Sequence, residues 1–232
     1  MKRCYPKIPN PTGPEFAIKI IPKEKYEKYY NSVDLRNQMQ KILHLDHPHV
    51  VPIQNFIEDK KNFYIISEYI PKGNLQQFIT NSNEAINEVV VFMFACQISL
   101  ALEFLHNEKI NHGNLSLTNI LLDNVPNVKI TDYGTTIWTS AKLGMLPASQ
   151  LDTVAPEILV GGEATFKSDV WSLGAVLYFL CYQKNPYSGL SLKAKLDSMV
   201  RGNMIPMDGD KYSNNLKSLI KFCLTANEQY RP

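Results

Sequence analysis

The sequence predicts an α+β fold in which a first part built mainly from strands is followed by a mainly helical second part. Up to about residue 70, apolar residues alternate in the short runs that are typical of strands. Beyond residue 75, apolar residues recur at helical spacing over longer stretches. The chain has 232 residues, of which 44% are apolar, and this is enough for one large domain or two smaller lobes.

The first part opens with residues 1–14, whose prolines and glycine indicate a loop. Short apolar runs then predict strands at residues 16–21, 50–56 and 63–69. Residues 23–45 predict a helix, because apolar side chains recur at Leu35, Met39, Ile42 and Leu45. Pro48 ends that pattern, and residues 71–73 form a hinge-like break after the last strand.

The second part begins with a short helix at residues 75–79. Residues 87–105 are apolar nearly all round, which predicts a helix that is buried on every side. Further helices are predicted at residues 168–182, 192–200 and 216–224, and short strands at residues 120–122 and 128–131. A long polar loop, residues 134–152, separates these strands from the later helices.

Composition and charge argue against several classes of function. Lys plus Arg is 24 and Asp plus Glu is 22, so no basic surface for nucleic acid is expected. The apolar stretch at residues 170–182 is shorter than the roughly 20 residues that a membrane span needs. No signal-peptide pattern occurs at the start. We therefore expect a soluble, cytoplasmic protein with no nucleic-acid or membrane partner.

The cysteines and histidines do not predict a metal site or a disulfide framework. The four cysteines, at positions 4, 96, 181 and 223, are far apart, and no Cys-x-x-Cys pair or Cys/His cluster occurs. Three of them lie in apolar runs. We therefore expect buried free thiols in a reducing compartment.

Five short motifs in a fixed order carry a resemblance to a known family. They are FAIK ending at Lys19, HGNLSLTN at residues 112–119, DYG at 132–134, APE at 155–157 and SDVWSLG at 168–174. This order resembles that of the eukaryotic protein kinase domain, with AIK, HRDxxxxN, DFG and APE. The resemblance implies a bilobal fold, with an incomplete small β lobe at residues 1–70 and a helical lobe at residues 71–232. ATP and Mg²⁺ would bind between the lobes.

The resemblance also assigns roles to individual residues. Lys19 matches the lysine that pairs with the α- and β-phosphates, and Asn119 and Asp132 match the two magnesium ligands. The remaining nucleotide contacts are expected at Ala17, Glu68, Ile70 and Leu121. On structural grounds alone, Lys19 could be an edge-strand lysine, and Asn119 and Asp132 could be turn residues. The order of the motifs favours the functional interpretation.

Several positions depart from the family pattern, and all concern phosphotransfer or its regulation. Asn114 stands where the family has the aspartate that accepts the substrate's proton, and an amide cannot take that proton at neutral pH. Ser116 replaces the lysine of the catalytic loop, and Gly113 replaces the arginine that reads a phosphorylated activation loop. Gln38 falls where a glutamate would pair with Lys19. Gln150 falls where a threonine would precede APE.

Other positions are expected to stabilise the fold. Glu157 and Arg231 match a buried ion pair of the large lobe, and Asp169 is expected to hydrogen-bond the backbone of the loop at residues 112–119. His112, Tyr133 and Ile42 are predicted to stack in an internal apolar column. No Gly-rich loop precedes Lys19, and this predicts a truncated product or a fragment, with weaker nucleotide binding.

Three functions remain open at this stage. The departures favour a pseudokinase that acts as a nucleotide-binding or scaffold module with protein partners. The retained Lys19, Asn119 and Asp132 allow a slow ATP-dependent Ser/Thr kinase, because phosphoryl transfer depends mostly on positioning and electrostatics. The third is a structural remnant that binds no nucleotide. The protein substrate and the oligomeric state do not follow from the sequence.

Overall fold

The computed structural model describes residues 2–4, 15–28, 31–82, 86–124, 127–134, 151–187, 189 and 191–232. The strands, numbered along the chain, are β1 Lys2–Cys4, β2 Phe16–Pro22, β3 Ile53–Glu58, β4 Asn62–Glu68, β5 Ile120–Asn124 and β6 Asn127–Ile130. The helices are α1 Lys23–Tyr26, α2 Ser32–Ile42, α3 Leu75–Asn81, α4 Glu88–Asn107, α5 Pro156–Leu159, α6 Phe166–Tyr182, α7 Leu192–Val200 and α8 Asn214–Cys223. Short 3-10 turns cover Leu117–Asn119 and Glu228–Tyr230.

The first part of the chain forms a four-stranded antiparallel sheet in the order β1-β2-β4-β3. In its centre, β2 and β4 pair over their whole length, with Ala17 opposite Ser67 and Lys19 opposite Ile65. Side chains two residues apart in a strand share one face, so Ala17 and Lys19 point to the same side of the sheet. The three strands predicted at residues 16–21, 50–56 and 63–69 are confirmed within a few residues.

The helix predicted over residues 23–45 is divided in the structure, so its continuity was wrongly predicted. A single turn, α1, is followed by α2, which begins when the Asn31 side chain accepts the backbone N–H of Val33. Asparagine favours this capping position because it satisfies an N–H group that has no partner in the helix. The helical spacing itself is confirmed, since Leu35, Met39 and Ile42 are buried.

The helical part packs around α4 and α6, which are in contact with each other. The prediction that residues 87–105 are buried on every side is wrong, because Val89, Met93 and Leu100 are 65%, 40% and 49% exposed. By length and composition α4 could also cross a membrane, a test that core helices of soluble proteins pass as well. Here α4 contacts α6 and β6 as a core helix does.

Three of the four cysteines have described side chains, and these three thiols are free, but they are not all buried. Cys181 and Cys223 are buried, and burial raises their pKa to about 12 and about 11, so neither is a reactive thiolate at neutral pH. Cys96 is exposed on α4, which corrects the expectation for this residue. Among the described residues, no three His, Cys, Asp or Glu side chains lie close enough to hold a metal.

The buried ion pair predicted for the large lobe is present. The guanidinium of Arg231 donates to both carboxylate oxygens of Glu157, at 2.7 and 2.8 Å. The same guanidinium lies 5.0 Å from the ring centre of Trp171. The pair therefore ties the segment after α8 to α5 and α6.

Candidate active site

An ion pair lies in the cleft between the sheet and the helical part. Lys19 on β2 donates from Nζ to Oδ1 of Asp132 at 2.8 Å, although 113 residues separate them in sequence. Both side chains are partly exposed, at 29% and 22%, so the pair faces solvent. The structure thus brings together a residue expected at the phosphates and a residue expected at the metal. In the family pattern, the partner of that lysine is a glutamate of the regulatory helix.

Residues 132–134, the DYG turn, hold Asp132 in an unusual backbone conformation. Its φ is +64°, in the left-handed region that aspartate tolerates better than most residues. Gly134 follows with a φ of +66°, and a Cβ there would lie 2.8 Å from Nε2 of Gln38. The amide of Gln38 therefore packs against the DYG turn, and no hydrogen bond is found between Gln38 and Lys19.

Tyr133, between these two residues, is buried and donates its hydroxyl to the carbonyl of Val51 at 2.9 Å. Its ring meets the buried His112 ring edge to face, with centroids 6.5 Å apart. This confirms the contact between two members of the predicted apolar column. The predicted contact with Ile42 stays a prediction, although Ile42 is fully buried.

Residues 112–119, the catalytic-like loop, are anchored from below by Asp169 of α6. Its carboxylate accepts the backbone N–H groups of His112 and Gly113, both at 2.8 Å, and lies 2.9 Å from Nε2 of His106. The predicted role of Asp169 is confirmed. The carbonyl of His112 in turn accepts the N–H of Gly134 at 3.1 Å. The loop and the DYG turn are thus joined through the main chain.

Asn114 lies in the middle of this anchored loop. Its N–H donates to Nδ1 of His112 at 3.2 Å, and its carbonyl accepts Nδ2 of Asn119 at 2.8 Å. Ser116 lies two residues on, with its hydroxyl 3.0 Å from that of Thr118. The backbone around the family's base position is therefore held in place, while the side chain at that position is an amide. Gln150 lies outside the described residues.

Residues 68–73, the hinge region at the end of β4, contact the β5–β6 hairpin. Glu68 accepts Nζ of Lys129 at 2.7 Å, and Lys129 lies opposite Leu121 in the hairpin. The next predicted contact, Ile70, is buried, and its backbone N–H has no hydrogen-bond partner among the described residues. Lys129 was not predicted as a site residue. The only sequence signal for it was its position between the apolar residues Val128 and Ile130 of a predicted strand.

A cavity of about 490 Å³ lies beneath the catalytic-like loop and above α6. It is lined by Asn114, Ser116 and Asn119, and also by Asp152, whose carboxylate is paired with the buried ammonium of Lys195. Burial lowers the pKa of Lys195 to about 8, and the adjacent carboxylate acts in the opposite direction. Sequence reasoning missed this pair, since no motif contains Lys195.

The cleft offers groups that suit a nucleotide and groups that suit a metal ion. Lys19 supplies a cation, and Ile70 supplies an N–H that a ring nitrogen of a purine could accept. For a divalent cation the described site offers one carboxylate, Asp132, which Lys19 already neutralises. Asn119 donates its amide nitrogen to the loop, so its amide oxygen remains as a metal ligand.

Comparison with known proteins places this geometry in a family context. The family model described as the protein kinase domain matches residues 3–232. The chain is 31% identical over 204 residues to the serine/threonine-protein kinase plk-2 of Caenorhabditis elegans, covering 87% of this chain and 32% of plk-2. It is 33% identical over 219 residues to the serine/threonine-protein kinase Nek8 of Danio rerio, covering 93% of this chain and 31% of Nek8.

Among solved structures, the chain is similar to the crystal structure of Rad53 1-466 in complex with AMP-PNP. The TM-score is 0.79 at 27% sequence identity, over 94% of this chain and 55% of that chain. The chain thus spans about a third of the length of plk-2 and of Nek8. The likeness confirms the predicted α+β kinase-like architecture.

Proposed function

Because this chain belongs to the protein kinase domain family, whose model matches residues 3–232, we propose that it is a pseudokinase. It would act as a nucleotide-binding, regulatory module in signalling, through protein partners. The proposal is supported above all by Asn114, because hydrogen bonds hold the backbone of the loop around it while its own side chain is an amide. An amide held there can orient a hydroxyl group but cannot accept its proton. A positioned base typically contributes about 10²–10⁴ in rate.

Two further departures from the family pattern also favour a pseudokinase. Ser116 brings no positive charge to the phosphate that would be transferred. Gln38 brings no carboxylate to Lys19, and this lysine pairs with Asp132 instead. Residues that act as a unit do not contribute additively, so the three losses are not multiplied together. A cytoplasmic location stays a prediction.

Nucleotide binding is supported by the residues that remain. Lys19 is on the cleft face of β2, and the AMP-PNP complex of the similar Rad53 structure shows a nucleotide on a related fold. Thermal unfolding of the purified chain with ATP tests this. A nucleotide at a hundred times its Kd stabilises the folded state by about 2.7 kcal/mol. The shift should disappear in Lys19→Ala. No shift in the unaltered chain would favour the structural remnant.

The retained Lys19, Asn119 and Asp132 also favour a second candidate, a slow Ser/Thr kinase. Transfer of radiolabelled γ-phosphate to a generic protein substrate distinguishes the two. The pseudokinase proposal expects no more incorporation than in Asp132→Ala. Incorporation that Asp132→Ala abolishes would establish the slow kinase and overturn the pseudokinase assignment.

A further inference from the structure

One face of α4 is apolar and exposed. Val89, Met93 and Leu100 are 65%, 40% and 49% exposed, and Cys96, which lies between them, is exposed as well. We call these four residues the α4 seam. We infer that the α4 seam binds the same seam of a second copy of this chain, as two antiparallel helices. The inference goes beyond the proposed function and does not depend on nucleotide binding.

The spacing of the seam residues indicates that their partner is a helix. From Val89 to Leu100 they follow one another at intervals of four, three and four residues. This is the 3.5-residue repeat of a coiled coil, whose seam packs against a second helix with the same repeat. The one other exposed residue within 89–100, Ser99, is uncharged and lies beside the seam. Other sides of α4 already contact α6 and β6.

The order of the seam residues indicates that this helix is a second α4. The seam is symmetric about its midpoint, so an antiparallel copy places Val89 against Leu100 and Met93 against Cys96. One patch then serves both copies, as it does in the two-fold dimers that predominate among oligomers. A membrane surface fits less well, because interfacial helices carry Lys and Arg on their polar face. Helix α4 contains neither residue type.

The charges of α4 favour the antiparallel direction. Residues 89–102 contain no charged side chain, and Glu103 follows Leu100 at the seam spacing. In a parallel pair Glu103 would face its own counterpart, and like charges repel. In an antiparallel pair it reaches the N-terminal end of the other α4, where the helix dipole favours an acidic side chain. The carboxylate of Glu88 at that end is bound by the N–H and the hydroxyl of Ser213.

The size of the α4 seam sets the strength of the expected dimer. A stable dimer buries about 800 Å² on each partner, and four partly exposed side chains supply less. We therefore expect a transient dimer that forms at high micromolar concentration and dissociates on dilution. Sedimentation velocity of the whole chain, from low to high micromolar concentration, measures this. A monomer at every concentration would overturn the inference.

Cys96 reports the pairing directly. Because Met93 faces Cys96 of the other copy, the two Cys96 side chains lie three residues apart along the helix axis, about 4.5 Å. In a Cys4→Ser background, a short bismaleimide should therefore crosslink two chains at high micromolar concentration. Cys96→Ser should remove the product, since Cys181 and Cys223 are buried. If no crosslinked dimer forms, or if the product survives Cys96→Ser, the inference is wrong.

Val89→Lys should break the pair, because it places an ammonium group among apolar side chains. Val200→Lys is the matched control, since Val200 is 62% exposed on α7 and lies outside the seam. We expect the yield of crosslinked dimer to fall at least about tenfold in Val89→Lys, equivalent to about 1.4 kcal/mol, and to stay unchanged in Val200→Lys. Equal yields in the two variants would contradict binding through the seam.

Flotation with vesicles of phosphatidylcholine and phosphatidylserine tests the membrane surface as the alternative occupant. We expect the chain to stay out of the vesicle fraction at concentrations at which it forms crosslinked dimers. Vesicle binding that Val89→Lys abolishes, without any dimer in solution, would overturn the inference in favour of lipid.

A pair of opposite charges tests the direction of the helices. Leu100→Lys alone should lower the yield of crosslinked dimer as Val89→Lys does. When Val89→Glu is added to Leu100→Lys in the same chain, an antiparallel pair brings the new carboxylate of one copy against the new ammonium group of the other, so the yield should recover. A parallel pair would bring like charges together. A double variant that does not recover would rule out the antiparallel pairing.

Discussion

Replacing Arg231 by methionine should destabilise the fold more than any surface substitution, because its guanidinium has no unused donor. Two N–H groups bind the carboxylate of Glu157. The other three donate to the carbonyls of Thr225, Lys167 and Ala226, at 2.7, 3.0 and 3.0 Å. The Arg231 side chain is fully buried, so water cannot replace these contacts.

The magnitude follows from what methionine leaves behind. Removing one member of a buried ion pair costs about 3–5 kcal/mol, mainly because the other charge stays buried without a partner. The side chain of Glu157 is 18% exposed, so water recovers part of that cost. We therefore expect a loss near the lower end, about 3 kcal/mol. For a chain of this size that corresponds to a decrease in Tm of about 6–12 °C.

Urea unfolding at pH 7, followed by circular dichroism, measures the loss directly. Arg201→Met is the matched control, since Arg201 is exposed at the end of α7 and should change stability by less than about 0.5 kcal/mol. The double variant with Glu157→Met should regain part of the loss, because it no longer buries an unpaired charge. A loss below about 1 kcal/mol in Arg231→Met would refute the reasoning.

The same pair predicts a pH dependence. Burial raises the pKa of Glu157, but the hydrogen bonds from Arg231 and Ser168 outweigh burial and hold this pKa below its ordinary value of 4.5. A carboxylate with a lowered pKa in the folded state stabilises the fold above its unfolded pKa, and the contribution is lost as the pH falls. The difference between the unaltered chain and Arg231→Met should therefore shrink below pH 4.5.

Two further substitutions test the anchoring of the site. Asp169→Asn should lower the free energy of unfolding in urea by about 2–4 kcal/mol, because a neutral amide replaces a buried acceptor of charge-assisted hydrogen bonds. Its control, Asp197→Asn, lies at an exposed position and should leave the free energy of unfolding unchanged. Equal losses in both variants would contradict the anchoring role. Tyr133→Phe should cost about 1–2 kcal/mol, since the carbonyl of Val51 loses its buried donor. Tyr182→Phe is its control, because that buried hydroxyl has no partner among the described residues. A loss in Tyr182→Phe as large as in Tyr133→Phe would show that the hydrogen bond to Val51 is not the cause.

The sequence by itself determined the family and the identity of most site residues. The motifs are local, and each requires a particular side chain within a few residues of a strand end or a turn, so Lys19, Asn114 and Asp132 could be assigned without coordinates. The pairs of Glu157 with Arg231 and of Asp169 with the catalytic-like loop followed from the same motif order. Alternation and helical spacing located the strands and most helices within a few residues.

The tertiary structure decided how these side chains pair and which faces they present. The exposure of Val89 on α4 depends on how many elements surround that helix, which hydropathy along the chain does not encode. The break before α2 depends on a cap by Asn31, which competes with a continuous helical pattern. The partner of Lys19 is Asp132 because residues far apart in sequence meet across the cleft, and electrostatic pairing is set by distances in space.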